Sequence, residues 1–258
     1  MALTDEQSTH AEVFRYLLHL ADTSLILGQR LSEWVGHGPT LEDDLGLANT
    51  SLDLIGQARL LYTYAGEIEG LGRSEDDLAL LRAPDEFRNL NLVEQPNGDF
   101  GCTIVRQFLF DAWQMELFQA LEGSADLRLA EIAAKSVTEV RYHLRFSSGW
   151  LIRLGDGSAE SHRRVQAPLR DLWKYTLELF TPDQLDEQMH DVGIGPDLSG
   201  LRGAWSRQVD KVLEQATLSR PEDVAYTWFG KAGAHTDNLG HILADMQYMQ
   251  RTYPGASW

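Results

Sequence analysis

Apolar residues recur three or four positions apart along nearly every long stretch of the chain. Alternating strand-like runs, and Asn-Gly turns between such runs, are missing, so the pattern predicts an all-α protein with about seven main helices. The first is expected over residues 8–35, with Phe14, Leu17, Leu18, Ala21, Leu25 and Gly28 on one face and "GHGP" ending it. Thr40 followed by Asp43 reads as a capping-box variant that opens a second helix lasting to about Gly66. Further helices are expected over residues 98–122, 125–154 (stopped by "GDG"), 158 to the residues before "TPDQ", 182–190, 198–218 and 235–251.

Between the second and third long helices, "SEDDLALL" and "RAPDEFRNLNLVEQPNGDF" form a connection expected to be mostly irregular. It is too long for a turn, and long ordered connections often bring side chains to a site that helices only frame. The Gly-containing loop "YTWFGKAGAHT" separates the last two helices. No internal repeat, low-complexity tract or domain boundary is visible, so residues 1–258 are read as one helical-bundle domain with additional C-terminal helices.

Composition narrows the function classes. At 258 residues and 43% hydrophobic the chain can bury a sizeable core without staples, and its single Cys102 excludes an internal disulfide. No charged-then-apolar leader is seen, so a reducing, cytoplasmic setting is expected. The longest apolar runs are broken by Asp, Arg or Gln before they reach the roughly 18 residues of a membrane span. A formal net charge of −17 repels phosphate backbones and anionic lipids, which argues against nucleic acid or membrane partners.

The candidate chemistry lies in carboxylates. Asp22 in "HLADTSLIL", Asp53 in "SLDLIGQA", Asp111 in "FLFDAWQM" and Glu139 in "VTEVRYHL" each sit mid-helix among apolar neighbours. A di-iron or di-manganese bundle takes one carboxylate from each of two helices and a Glu-x-x-His from each of the other two, which places both ligands on one inward face. Here the residues three positions after Asp53, Asp111 and Glu139 are Gly56, Gln114 and Tyr142. Only Glu187 with His190 has the spacing, and about one such pair is expected by chance in this composition. The four carboxylates therefore read as a degenerate metal site whose members pair with Arg59, Arg106 or Arg141. A rearranged site using Asp22, Asp53, Asp111, Glu139 and His143 is the alternative, that of an autonomous di-iron or manganese oxidoreductase. His235, Asp237, His241 and Asp245 stand at helical spacing, which is also what ordinary helix charge pairing gives. Met246, Tyr248, Met249 and Tyr253 read as a core or partner-facing stripe. No nucleophile elbow, Walker loop or dinucleotide fingerprint occurs.

The segments "LSEWVGHGPTLEDDLGLANTSLDLIGQARLLYTYAGE", "FRNLNLVEQPNGDF", "RYHLRFSSGWLIRLGDG" and "KAGAHTDNLGHILADMQYMQRTYPGASW" closely resemble the PaaC-type subunits of bacterial phenylacetyl-CoA epoxidases, or ring-1,2-phenylacetyl-CoA monooxygenases. The resemblance implies a ferritin-like structural subunit in aerobic phenylacetate degradation, with no cofactor in this chain and no catalytic residue. It also implies partners: a related catalytic subunit that holds the di-iron centre, a small bridging subunit, and a reductase with FAD and a 2Fe-2S cluster that draws electrons from NADPH. A homodimer is expected when the chain is alone. By the same resemblance a CoA thioester would be contacted by Glu86, Phe87, Arg88 and Asn89, and by Glu187, Gln188 and Met189. A free-standing helical binder of an anionic metabolite, centred on Arg88, is a third reading.

Overall fold

A computed structural model of the chain describes the backbone of residues 5–256 and the side chains of 9–256. The expectation about a leader falls partly on residues 1–4, outside the described residues. The first two helices, α1 (Asp5–Ser32) and α2 (Leu41–Glu69), form a hairpin. They are antiparallel, because Ser51 Oγ donates to the Gly28 carbonyl at 2.7 Å while Tyr62, further along α2, reaches back to Asp22 at 2.5 Å. Thr40 caps α2 by accepting from Asp43 N at 3.3 Å. The reciprocal half of the expected capping box is replaced, since the Asp43 carboxylate takes the Thr40 hydroxyl instead, at 2.8 Å.

The connection over residues 70–99 is more regular than the sequence reading allowed. It contains α3 (Glu75–Leu80) and the single turn α4 (Asn91–Glu94). Ser74 and Asp77 make a complete capping box at the start of α3, the local signal that the acidic run "SEDD" obscured. Two buried arginines anchor the end of this connection: Arg30 donates to the Glu94 carbonyl at 2.8 Å, and Arg106 to Asn97 Oδ1 at 2.6 Å.

The second hairpin pairs α5 (Phe100–Leu121) with α6 (Leu127–Gly155). Asp99 and Asp126 cap these helices through Cys102 N and Leu129 N. Contacts of α2 with α6 run Asp53 to His143, Gln57 to Glu139 and Glu67 to Arg128, so these helices are also antiparallel. The connection thus carries the chain the length of the bundle, the single long crossover of a ferritin-like fold. The chain is all-α and ferritin-like, with no strand among the described residues.

Outside the bundle lie α7 (Ala159–Trp173), which ends in a 3-10 stretch, α8 (Gln184–Asp191), α9 (Leu198–Gln215), α10 (Asp237–Met246) and α11 (Tyr248–Thr252). The last expected helix is split, with Gln247 at the break. Packing of α9 onto α6 requires Gly155, where a Cβ would collide with the Ala216 carbonyl oxygen. Apolar residues of both hairpins and of α7 to α10 join one buried cluster.

Candidate functional site

The interior face shared by α2, α5 and α6 carries a chain of polar side chains. Gln114 Nε2 donates to Gln57 Oε1 at 3.1 Å, and Gln57 Nε2 donates to Glu139 Oε2 at 3.0 Å. One turn away His143 Nε2 lies 2.9 Å from Asp53 Oδ2. Asp111, fully buried, accepts from Gln107 Nε2 at 2.6 Å and from Ser147 Oγ at 2.7 Å. Burial pushes the Asp111 carboxyl up to about 6, against the charge of His143 and these two hydrogen bonds.

Three of the four candidate carboxylates therefore belong to one layer, and the fourth does not. Asp22 bonds Tyr62, nine residues beyond Asp53 on α2, or about 13 Å along the axis. There it is bound by the Arg82 guanidinium, by the Tyr62 hydroxyl and by the Arg88 N–H at 2.8 Å, with no exposure to solvent. The expected arginine partners are corrected accordingly. Arg59 pairs with Glu75 at the surface, Arg106 donates to the Gln95 carbonyl and to the Asn97 side chain, and Arg141 is exposed. The cation that neutralises a bundle carboxylate is Arg82, and it comes from the crossover connection rather than from a bundle helix. Its distance in sequence from Asp22 is why helix periodicity did not reveal it.

These residues do not fit a di-iron centre. Where a di-iron layer needs carboxylates and imidazoles, Gln57 and Gln114 offer amides whose nitrogens already donate to neighbours. Among the described residues no group of three or more His, Cys, Asp or Glu side chains is gathered so as to hold a metal ion. Glu187 and His190 are both exposed on α8. The candidate stripe at the C-terminus is divided: His235 precedes α10 and is bound to Glu94, whereas Asp237, His241 and Asp245 are exposed. Of the neighbouring apolar residues, Tyr248, Met249 and Tyr253 are exposed rather than in the core.

The positions singled out by resemblance fall into two groups. Phe87 is fully buried with the Arg82 guanidinium 4.3 Å from its ring centroid, Asn89 is fully buried and donates to Glu94 at 2.9 Å, and Met189 is buried beside Gly195. Glu86 and Glu187 are exposed, and Arg88 and Gln188 are half-buried. Arg88 Nη1 donates to the Asp85 and Phe87 carbonyls at 2.7 and 2.6 Å.

Two further carboxylates, absent from the sequence reading, organise the ground beneath these residues. Glu94 is fully buried and accepts from Asn89, from Thr236 N at 2.8 Å and from His235 Nδ1 at 2.5 Å. Burial opposes protonation of His235, but its hydrogen bond and attraction to Glu94 outweigh this and raise its pKa. Glu178, also fully buried, accepts the N–H groups of Asn91 and Lys231 at 2.8 and 3.2 Å, and burial pushes it up to about 7. The only sequence signal for either was an acid within an apolar run, "NLVEQ" or "TLELF".

Among the described residues no helix is long and apolar enough to cross a membrane. The family model described as "Phenylacetic acid catabolic protein" matches residues 2–258. The chain is also 50% identical over 243 residues, 94% of its own length and 98% of the relative's, to the C subunit of the 1,2-phenylacetyl-CoA epoxidase of Escherichia coli (strain K12).

Proposed function

Because the chain belongs to the phenylacetic acid catabolic protein family, we propose that it is the structural, non-catalytic subunit of a multicomponent phenylacetyl-CoA 1,2-epoxidase acting in the cytoplasm. One observation carries the non-catalytic part: the layer between α2, α5 and α6 satisfies its carboxylates with amides, a serine and a histidine instead of gathering metal ligands. On this reading the di-iron centre belongs to a related catalytic subunit, a small subunit bridges the assembly, and a reductase with FAD and a 2Fe-2S cluster passes electrons from NADPH.

The surface is suited to a subunit. Leu41, Leu45 and Leu52 are 71%, 54% and 67% exposed on one face of α2, and Tyr142 is 49% exposed on the adjoining α6. Large apolar side chains clustered in this way suit a face that a partner covers. Contact with a CoA thioester is proposed for the accessible Glu86, Arg88, Glu187 and Gln188, with Phe87, Asn89 and Met189 holding them from beneath. A guanidinium such as that of Arg88 suits a phosphate.

The test is iron content per chain, measured on the protein purified alone and again with its catalytic relative. A lone chain without iron, and iron that appears only with the partner, is the expected result. About two irons on the lone chain would instead establish an autonomous di-iron enzyme. That alternative draws on the proximity of Asp53, Asp111, Glu139 and His143. A second check is Glu139→Gln in a reconstituted complex, which should leave turnover within a few fold. A loss of about a hundredfold with assembly intact would give the carboxylate a chemical role.

A further inference from the structure

A small cavity of about 20 Å³ lies where α1 meets α8 and the residues before α10, and every residue lining it is buried. Its α1 wall is polar. Tyr16, His19 and Thr23 follow one another at intervals of three and four, so they share one face of the helix. Asp186 and Lys231, ion-paired to each other, stand among the other lining residues, with Trp113 and leucines completing it.

Two of these groups are incomplete. Tyr16 Oη and His19 Nδ1 are buried and have no hydrogen-bond partner among the described residues. Thr23 Oγ1 accepts from Leu90 N at 3.3 Å and retains its own proton to donate. Buried polar groups left unpaired are rare, and a polar cavity of at least roughly 10–15 Å³ with two to four polar neighbours is the setting in which an ordered water supplies the missing bonds.

We propose that this cavity is the binding site of one structural water molecule, which links Tyr16 and His19 of α1 to the Asp186–Lys231 pair outside the bundle. Volume excludes a larger ligand. Charge favours a neutral one, because an anion would face Asp186 and a cation would face Lys231. Burial lowers His19 to about 4, so its imidazole is neutral near pH 7 and presents one donor and one acceptor nitrogen. The water would tie the added C-terminal layer to the first bundle helix through polar contacts, at a point where the apolar packing is interrupted.

A crystal structure of the full chain, at a resolution where ordered waters are resolved, tests this. A single peak within about 3.2 Å of both Tyr16 Oη and His19 Nδ1 is expected. Featureless density there, or Tyr16 and His19 bonded directly to protein groups, overturns the proposal. In a Tyr16→Phe, His19→Leu double variant the peak should vanish while Asp186 and Lys231 stay in place; a peak that persists unchanged also overturns it. If the double variant does not fold, the wild-type density and the loss of peak height in Tyr16→Phe decide the question.

Discussion

Arg82→Met is the most informative single perturbation of this fold. It keeps most of the side chain's apolar length while deleting the charge, so packing changes less than electrostatics. Arg82 is 3% exposed and Asp22 is fully buried, and the guanidinium also donates to the Glu86 carbonyl at 3.0 Å and lies over Phe87. Removing one partner of a buried pair costs about 3–5 kcal/mol, because the remaining charge is left uncompensated. The lost contact with Phe87 adds about 1 kcal/mol. Tyr62 and the Arg88 N–H still bond Asp22 and recover part of this, so about 4 kcal/mol is expected. Asp22→Asn combined with Arg82→Met should cost less than Arg82→Met alone, a coupling of about 2 kcal/mol or more. Urea unfolding followed by circular dichroism measures both values, provided the slope with denaturant is unchanged. A cost below about 1 kcal/mol for Arg82→Met, or strict additivity of the two substitutions, would refute the view that this pair joins the crossover to the bundle.

Asp111 gives a pH signature. Its carboxyl is raised to about 6, so the native state holds the proton more tightly than the unfolded chain; the contribution is fully present below about pH 3.9 and is lost as pH rises through about 6. Between pH 4 and 7, Asp111→Asn should therefore gain on the wild type by about 2 kcal/mol in urea titrations, and a constant difference would show that the carboxyl is not perturbed. The raised pKa of His235 has the opposite charge type: its stabilisation is fully present below the unfolded value near 6.5 and is lost as pH rises through the folded value. Amide protection across residues 230–236, taken relative to the intrinsic exchange rate at each pH, should fall over that upper range in the wild type but show no such step in His235→Ala. If the proposed structural role holds, Leu45→Glu with Leu52→Glu should leave the lone chain's melting temperature nearly unchanged and weaken association with a catalytic subunit at least tenfold by titration calorimetry, whereas unaltered affinity would remove α2 from the proposed interface. Gly155→Ala should cost about 1–3 kcal/mol, because the added methyl meets the Ala216 backbone; a neutral result would mean that α9 can move away from α6.

The long helices were legible because each carries its own periodic face and its own caps. Thr40, Asp99, Asp126 and Ser158 stand at the N-termini of α2, α5, α6 and α7, within a few residues of where the pattern begins. The short α3 was hidden because a six-residue helix has less than two turns in which to display a period, leaving only its capping box. The sequence assigned four mid-helix carboxylates to one shared interior, and three of them, Asp53, Asp111 and Glu139, lie there, while Asp22 does not. Their partners could not be assigned, because helical spacing reports neighbours along one helix and says nothing of residues 60 or 82 positions away, the separations that join Asp22 to Arg82 and Glu139 to Gln57. Glu94 and Glu178 escaped notice for the same reason, since several of the groups that bond them, Lys231 N–H, His235 and Thr236, come from the "KAGAHT" segment far along the chain.

On the proposed structural role, amides standing where a di-iron bundle has metal ligands have a physical logic. A carboxylate layer without a metal leaves like charges facing one another in a medium that screens them poorly, and at least one must then take a proton or a counter-charge. Glutamine offers a neutral solution, because each side-chain amide carries donors and an acceptor and can bridge two neighbours without adding charge. Gln57 does so, accepting from Gln114 and donating to Glu139, while the half-exposed Asp53 takes the imidazole of His143 and the buried Asp111 is held by Gln107 and Ser147. The layer keeps the polar spacing of a ferritin-like interior and with it the shape of the bundle. Restoring a carboxylate at Gln57 alone should be unfavourable for the same reason. Gln57→Glu would set two carboxylates about 3 Å apart, so the introduced carboxylate and Glu139 would share a proton near neutral pH. The variant should lose stability as pH rises from 5 to 8 relative to the wild type, and a difference that does not change with pH would show that the layer is wetter and more forgiving than its hydrogen bonds imply.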